Sequence, residues 1–60
     1  MINSRKKLSA FIPVQNVEDI IEECLESIKW VDEIFIVDAY STDRTVEICN
    51  RYPNVKLVQH

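Results

Sequence analysis

Ile34-Phe35-Ile36-Val37-Asp38-Ala39-Tyr40-Ser41-Thr42-Asp43-Arg44-Thr45 decides how this chain reads. Four apolar residues run without a break into an aspartate, the pattern of a strand buried on both faces. A short turn comes next, then hydroxyl and acidic residues able to open a helix. This order puts a carboxylate at the carboxyl end of a strand, facing a helix N-terminus. In open α/β sheets that edge is where ligands bind.

Upstream, residues 8–14 (Leu-Ser-Ala-Phe-Ile-Pro-Val) read as a first strand. It is mostly apolar and also lacks clean alternation, so it too is expected to be covered on both faces. Pro13 has no amide hydrogen for a ladder and should mark the strand's end. Asn16 reads as an N-cap, with Val17, Glu18 and Asp19 as the first turn of a helix. Val17, Ile20, Ile21, Cys24, Leu25 and Ile28 then recur at helical spacing, with Glu18, Asp19, Glu22, Glu23 and Glu26 on the opposite, solvated face. Asp32-Glu33 reads as turn polarity. Downstream, Ser41 or Thr42 is expected to cap a second helix reaching about Tyr52, with Thr45, Ile48, Cys49 and Tyr52 inward and Pro53 as its stop. Residues 55–58 (Val-Lys-Leu-Val) form a third strand.

The resulting β-α-β-α-β pattern predicts an α/β fold with a parallel sheet and right-handed crossovers. It is half of a Rossmann-like doubly wound sheet, with strand order 3-2-1. The first strand is then an apolar edge, and such edges are normally paired or covered. Either further chain or a partner is expected there.

Sixty residues make at most one small domain, and one of marginal stability. The 47% hydrophobic and 28% charged content is that of a globular protein. A net charge of −3 with no basic stripe argues against nucleic acid as a partner. The one basic run, Arg5-Lys6-Lys7, reads as a solvated lead-in; the apolar stretch after it, residues 8–13, is too short and too polar for a signal peptide. No stretch approaches the roughly 20 apolar residues of a transmembrane helix, and the chain reads as cytoplasmic. Cys24 and Cys49 lack the paired spacing of a zinc or redox site and read as buried free thiols.

Candidate ligand contacts converge on the carboxyl edge. Pro13, Val14, Gln15 and Asn16 leave the first strand there, and Asp38 and Tyr40 leave the second. Asp38 can accept hydrogen bonds from a base N–H or from ribose hydroxyls, or simply bond the amides of the adjoining turn. The Gln15 amide can fix a base edge and Tyr40 can stack on a ring, or both can be plain surface residues. Asn16 and Asp43 have equally plain roles as helix-capping residues. The chain has no glycine, which excludes both the Gly-x-Gly-x-x-Gly turn and the P-loop. Its only histidine is His60, and it has no Asp-x-Asp for a divalent metal.

Three segments in order carry a resemblance: Leu8 through Pro13-Val-Gln-Asn16, then Ile21-Glu-Glu-Cys-Leu25 through Ile28, then Trp30-Val-Asp-Glu-Ile34 through Asp38-x-x-Ser41-Thr42-Asp43-x-Thr45. Over residues 7–59 the chain resembles the N-terminus of family 2 glycosyltransferases, most of all bacterial members that build lipopolysaccharide core and other surface glycans. The resemblance implies that residues 1–60 are one partial domain of the GT-A fold. It implies a nucleotide-sugar donor, often a UDP-sugar, with residues 13–16 around the base and the turn beginning at Asp38, through Tyr40 and Asp43, near base or ribose. It also implies a glycan or lipid-linked acceptor, a divalent metal on the donor pyrophosphate, and a later carboxylate as base. The chain departs from the family pattern at Gln15, where an aromatic residue is common, and at Ala39-Tyr40, where Asp-Gly is common. With neither metal motif nor base it is expected to be inactive alone. The competing expectation is a non-catalytic module that associates with itself or another chain through its edge strand.

Overall fold

The computed structural model describes residues 7–60. Five elements occur in order: β1 (Ser9–Val14), α1 (Ile21–Ile28), β2 (Glu33–Asp38), α2 (Thr45–Cys49) and β3 (Val55–Gln59). The strands form one parallel sheet in the order β1-β2-β3, the expected 3-2-1 read from the other side. Ala10 aligns with Ile34, Ile12 with Ile36 and Val14 with Asp38; Val55 and Leu57 align with Ile34 and Ile36 from the other strand. Arg5 and Lys6 of the basic run lie outside the described residues, while Lys7 pairs with Glu33 (Nζ to Oε1, 3.6 Å).

The core forms where α1 and α2 meet one face of this sheet. Ile21 and Leu25 from α1, Ile34 and Ile36 from β2, and Ile48 and Cys49 from α2 are buried together with Val14. Among the described residues the other face is bare, which corrects the expectation that the strands are covered twice. Phe11 is 68% exposed, and Phe35 and Val58 are exposed beside it. The strand order explains why: two crossovers of the same hand that advance in one direction place both helices on one side. An unbroken apolar run cannot distinguish this arrangement from a sheet that is covered twice.

Both helices are shorter than expected. Helix α1 starts at Ile21, and Asn16 does not cap it; its backbone is left-handed, with φ 51°. Ile20 consequently precedes the helix and is 60% exposed rather than inward. Helix α2 has Arg44 at its N-cap with no side-chain cap bond, so neither Ser41 nor Thr42 plays that role. It ends at Cys49, and three-residue turns carry the chain on to Tyr52, whose amide donates to the Cys49 carbonyl at 3.1 Å. Asp32 and Glu33 turn out to be paired groups at the start of the sheet. Asp32 Oδ2 accepts from the Leu8 amide at 2.7 Å, and Glu33 opens β2.

Candidate functional site

The loops leaving β1 and β2 lie side by side at the carboxyl edge, and they cap one another instead of themselves. Ala39 donates its amide to the Val14 carbonyl (2.9 Å), continuing the ladder past the strand ends. The amides of Asn16, Val17 and Glu18 then donate to Ser41 Oγ (2.8 Å), Thr45 Oγ1 (2.9 Å) and Asp43 Oδ2 (3.1 Å). In return, Asn16 Oδ1 accepts from the amides of Thr42 (2.8 Å) and Asp43 (3.3 Å), and Glu18 Oε1 accepts from Arg44 (2.8 Å). Each loop thus satisfies the orphan amides ahead of the other loop's helix. This exchange is the physical reason that Asn16 is not an N-cap: its side-chain oxygen serves α2, not α1.

Asp38 is fully buried beneath this lattice. Its carboxylate accepts both the amide (2.9 Å) and the hydroxyl of Ser41, and Gln59 Nε2 at 3.2 Å. Burial is the largest single influence and opposes its charge, yet the two Ser41 bonds and the Gln59 bond outweigh it and hold the carboxyl below its usual range. Asp43 behaves alike. Burial again opposes the charge, and the Thr45 hydroxyl and amide together with the Glu18 amide hold its pKa down.

Gln15 and Tyr40 point their chemistry outward. Gln15 is exposed, with Nε2 donating to the Ala39 carbonyl at 3.2 Å. Tyr40 is 63% exposed and has a left-handed backbone, φ 55°, at the position where glycine is common in the family that the sequence resembles. Pro13 is exposed on the bare face and Val14 is buried under the loop. The structure therefore brings all seven candidate residues to one edge but gives them unlike settings. Ser41, Thr45, Glu18 and Gln59 complete the site and escaped sequence reading. Ser41 and Thr45 stand in the quoted Asp-x-x-Ser-Thr-Asp-x-Thr segment, Glu18 looks like any solvated acid, and Gln59 carries no signal at all.

Comparison with known proteins matches residues 9–60 to a family described as glycosyl transferase family 2. This chain belongs to that family. The family 2 chain is 41% identical over 66 aligned residues to the uncharacterized glycosyltransferase YibD of Escherichia coli K12, an alignment covering 97% of this chain and 19% of YibD. It is 46% identical over 52 residues to the poly(ribitol-phosphate) beta-glucosyltransferase of Bacillus spizizenii, covering 77% of this chain and 8% of that protein. The chain thus spans less than a fifth of either relative. No solved structure matches it significantly.

Family 2 enzymes generally use nucleotide-sugar donors and a metal. Among the described residues, no three His, Cys, Asp or Glu side chains group so as to hold a metal ion. The nearest candidates, Asp38 and Asp43, have their carboxylates engaged in internal bonds, so the family's divalent ion has no fitting donor set in these residues. Among the described residues, no helix is long and apolar enough to cross a membrane.

Proposed function

We propose that this chain is the nucleotide-facing N-terminal portion of a GT-A glycosyltransferase domain. The parent transfers a sugar from a nucleotide-sugar, a UDP-sugar, to a glycan or lipid-linked acceptor in cell-surface polysaccharide or lipopolysaccharide synthesis. The observation that carries this reading is the interlock of the two strand exits at the carboxyl edge. It presets a backbone surface there before any ligand arrives, which lowers the cost of binding. The relative named for glucosyl transfer to poly(ribitol-phosphate) supports a surface polymer as acceptor. The two free cysteines fit a reducing compartment, the cytoplasm.

On this reading the chain binds and orients the donor's nucleoside against residues 13–16 and the turn after β2. The acceptor base and the divalent ion come from elsewhere in the parent. A titration of the 60-residue chain with UDP-glucose, monitored by backbone amide NMR, tests it. Shifts confined to residues 14–16 and 38–41, with no turnover of the sugar, are expected. Shifts scattered over the sheet, or none at all, would sink the reading.

A second reading is a non-catalytic module that associates through the exposed edge of β1; the bare sheet face carrying Phe11, Phe35 and Val58 is a separate apolar surface that would also favour association. Light scattering over a range of concentrations separates the two, since donor binding does not require association.

A further inference from the structure

Which side chain reads the base depends on which polar atoms the interlock leaves open. Asp38 leaves none, being fully buried with both carboxylate oxygens accepting bonds from Ser41 and Gln59. The Asn16 side-chain oxygen is taken by the amides of residues 42 and 43. Asp43 spends one oxygen on Thr45 and the other on the Glu18 amide. Gln15 differs. Its Nε2 is tied to the Ala39 carbonyl, and that bond fixes which end of the amide is which, because a carbonyl accepts only from a donor. The Oε1 atom then accepts no bond from any described residue, on an exposed side chain.

Tyr40 comes directly after the residue that anchors Gln15. A bulky residue with left-handed backbone is an outlier that calls for a reason. The flanking bonds of Ala39 to Val14 and of Ser41 to Asp38 hold that turn without the side chain, so they do not account for an aromatic residue there: the Tyr40 hydroxyl bonds no described residue and the side chain is 63% exposed. An exposed aromatic held at a backbone cost, beside an anchored amide with a free acceptor, is a pairing suited to a heterocycle that offers both a face and an N–H.

We infer that Gln15 Oε1 accepts the lactam N–H of the donor's base, with the Tyr40 ring as its stacking platform, and that Asp38 is a positioning residue which touches no part of the nucleotide. The bases that fit are uracil and thymine through N3–H and guanine through N1–H. Cytosine N3 and adenine N1 are unprotonated acceptors and would meet Oε1 acceptor to acceptor. This assignment rests on the nucleotide-binding reading above and goes beyond it by naming the atom that selects the base.

The test titrates the 60-residue chain with UDP, N3-methyl-UDP and CDP. UDP is expected to bind several-fold to about tenfold more tightly than the other two, the effect of a lost or opposed hydrogen bond. Gln15→Ala should bring UDP down to the level of CDP. Tyr40→Gly should weaken all three nucleotides several-fold while raising the thermal midpoint of the free chain. Asp38→Asn, wherever it folds, should keep the ratio of UDP to CDP affinity. Equal binding of UDP and N3-methyl-UDP, or a UDP preference that survives Gln15→Ala, overturns the assignment and leaves nucleotide binding standing. Failure of every nucleotide to bind overturns both.

Discussion

At the scale of single residues, sequence alone could place Gln15, Asn16, Asp38, Tyr40 and Asp43 at the edge but not orient their side chains. Asp38 was legible as a carboxylate at a strand end, with two roles open, ligand contact or turn acceptor. Of that pair, the structure shows the turn bonds, with Ser41 and Gln59 donating to the carboxylate. Gln59 is 21 residues away in sequence, and nothing in the local pattern announces it. Asp38→Asn removes a charged acceptor from buried donors and should cost about 2 kcal/mol, measured by urea unfolding. The same bonds set the pH dependence. A carboxyl held below its unfolded value adds stability that is present above the unfolded pKa, about 4, and is lost as pH falls through the lower folded value. Acidification below about pH 4 should therefore destabilise the chain, and Asp38→Asn should flatten part of that slope, with Asp43, Glu26 and Glu47 contributing to the rest. Tyr40→Gly should gain about 1 kcal/mol of stability by relieving the left-handed backbone, seen as a higher thermal midpoint. Cys49 is set apart from this chemistry. Burial, with the charges of Asp38 and Cys24 adding to it, pushes its thiol up to about 11, so it should resist alkylation at neutral pH until the chain is unfolded.

At the scale of elements, the order of strands and helices was written in the alternation of apolar runs and amphipathic stretches, and the sheet order came with it. The helix starts were not. Periodicity extended α1 back to Val17 because Val17 and Ile20 keep the helical spacing, yet the amides of residues 16–18 are bonded across the gap to Ser41, Thr45 and Asp43. A segment whose amides are satisfied by another loop gains nothing from a helical turn of its own. Two substitutions distinguish periodicity from structure. Leu25→Ala empties a fully buried site and should cost about 2–5 kcal/mol. Ile20→Ala, identical in the sequence pattern, should change stability by less than about 0.5 kcal/mol because the side chain is mostly in solvent. Equal losses in chemical denaturation would mean that α1 begins earlier than Ile21.

At the scale of the whole molecule, the sheet divides the chain into one packed face and one bare face. Strand register makes the bare face continuous: Phe11 aligns with Phe35, and Pro13 with Val37 and then Val58. Sequence showed that these strands were apolar but not how many layers they would meet, since layer number is set by crossover direction rather than by any residue. An apolar patch of aromatic and branched side chains on a monomer favours association, and a net charge of −3 gives only modest repulsion against it. The isolated chain should accordingly associate in sedimentation experiments as its concentration rises. Lysine at two patch positions, Phe11→Lys with Val58→Lys, should shift it toward monomer. Both positions are exposed and lie outside the carboxyl-edge interlock, so the fold and the UDP-induced shifts at residues 14–16 should survive. If the unsubstituted chain instead stays monomeric at millimolar concentration, exposure of this face carries no appreciable drive. The edge-association reading then falls, while the nucleotide reading, which depends on the other end of the strands, is untouched.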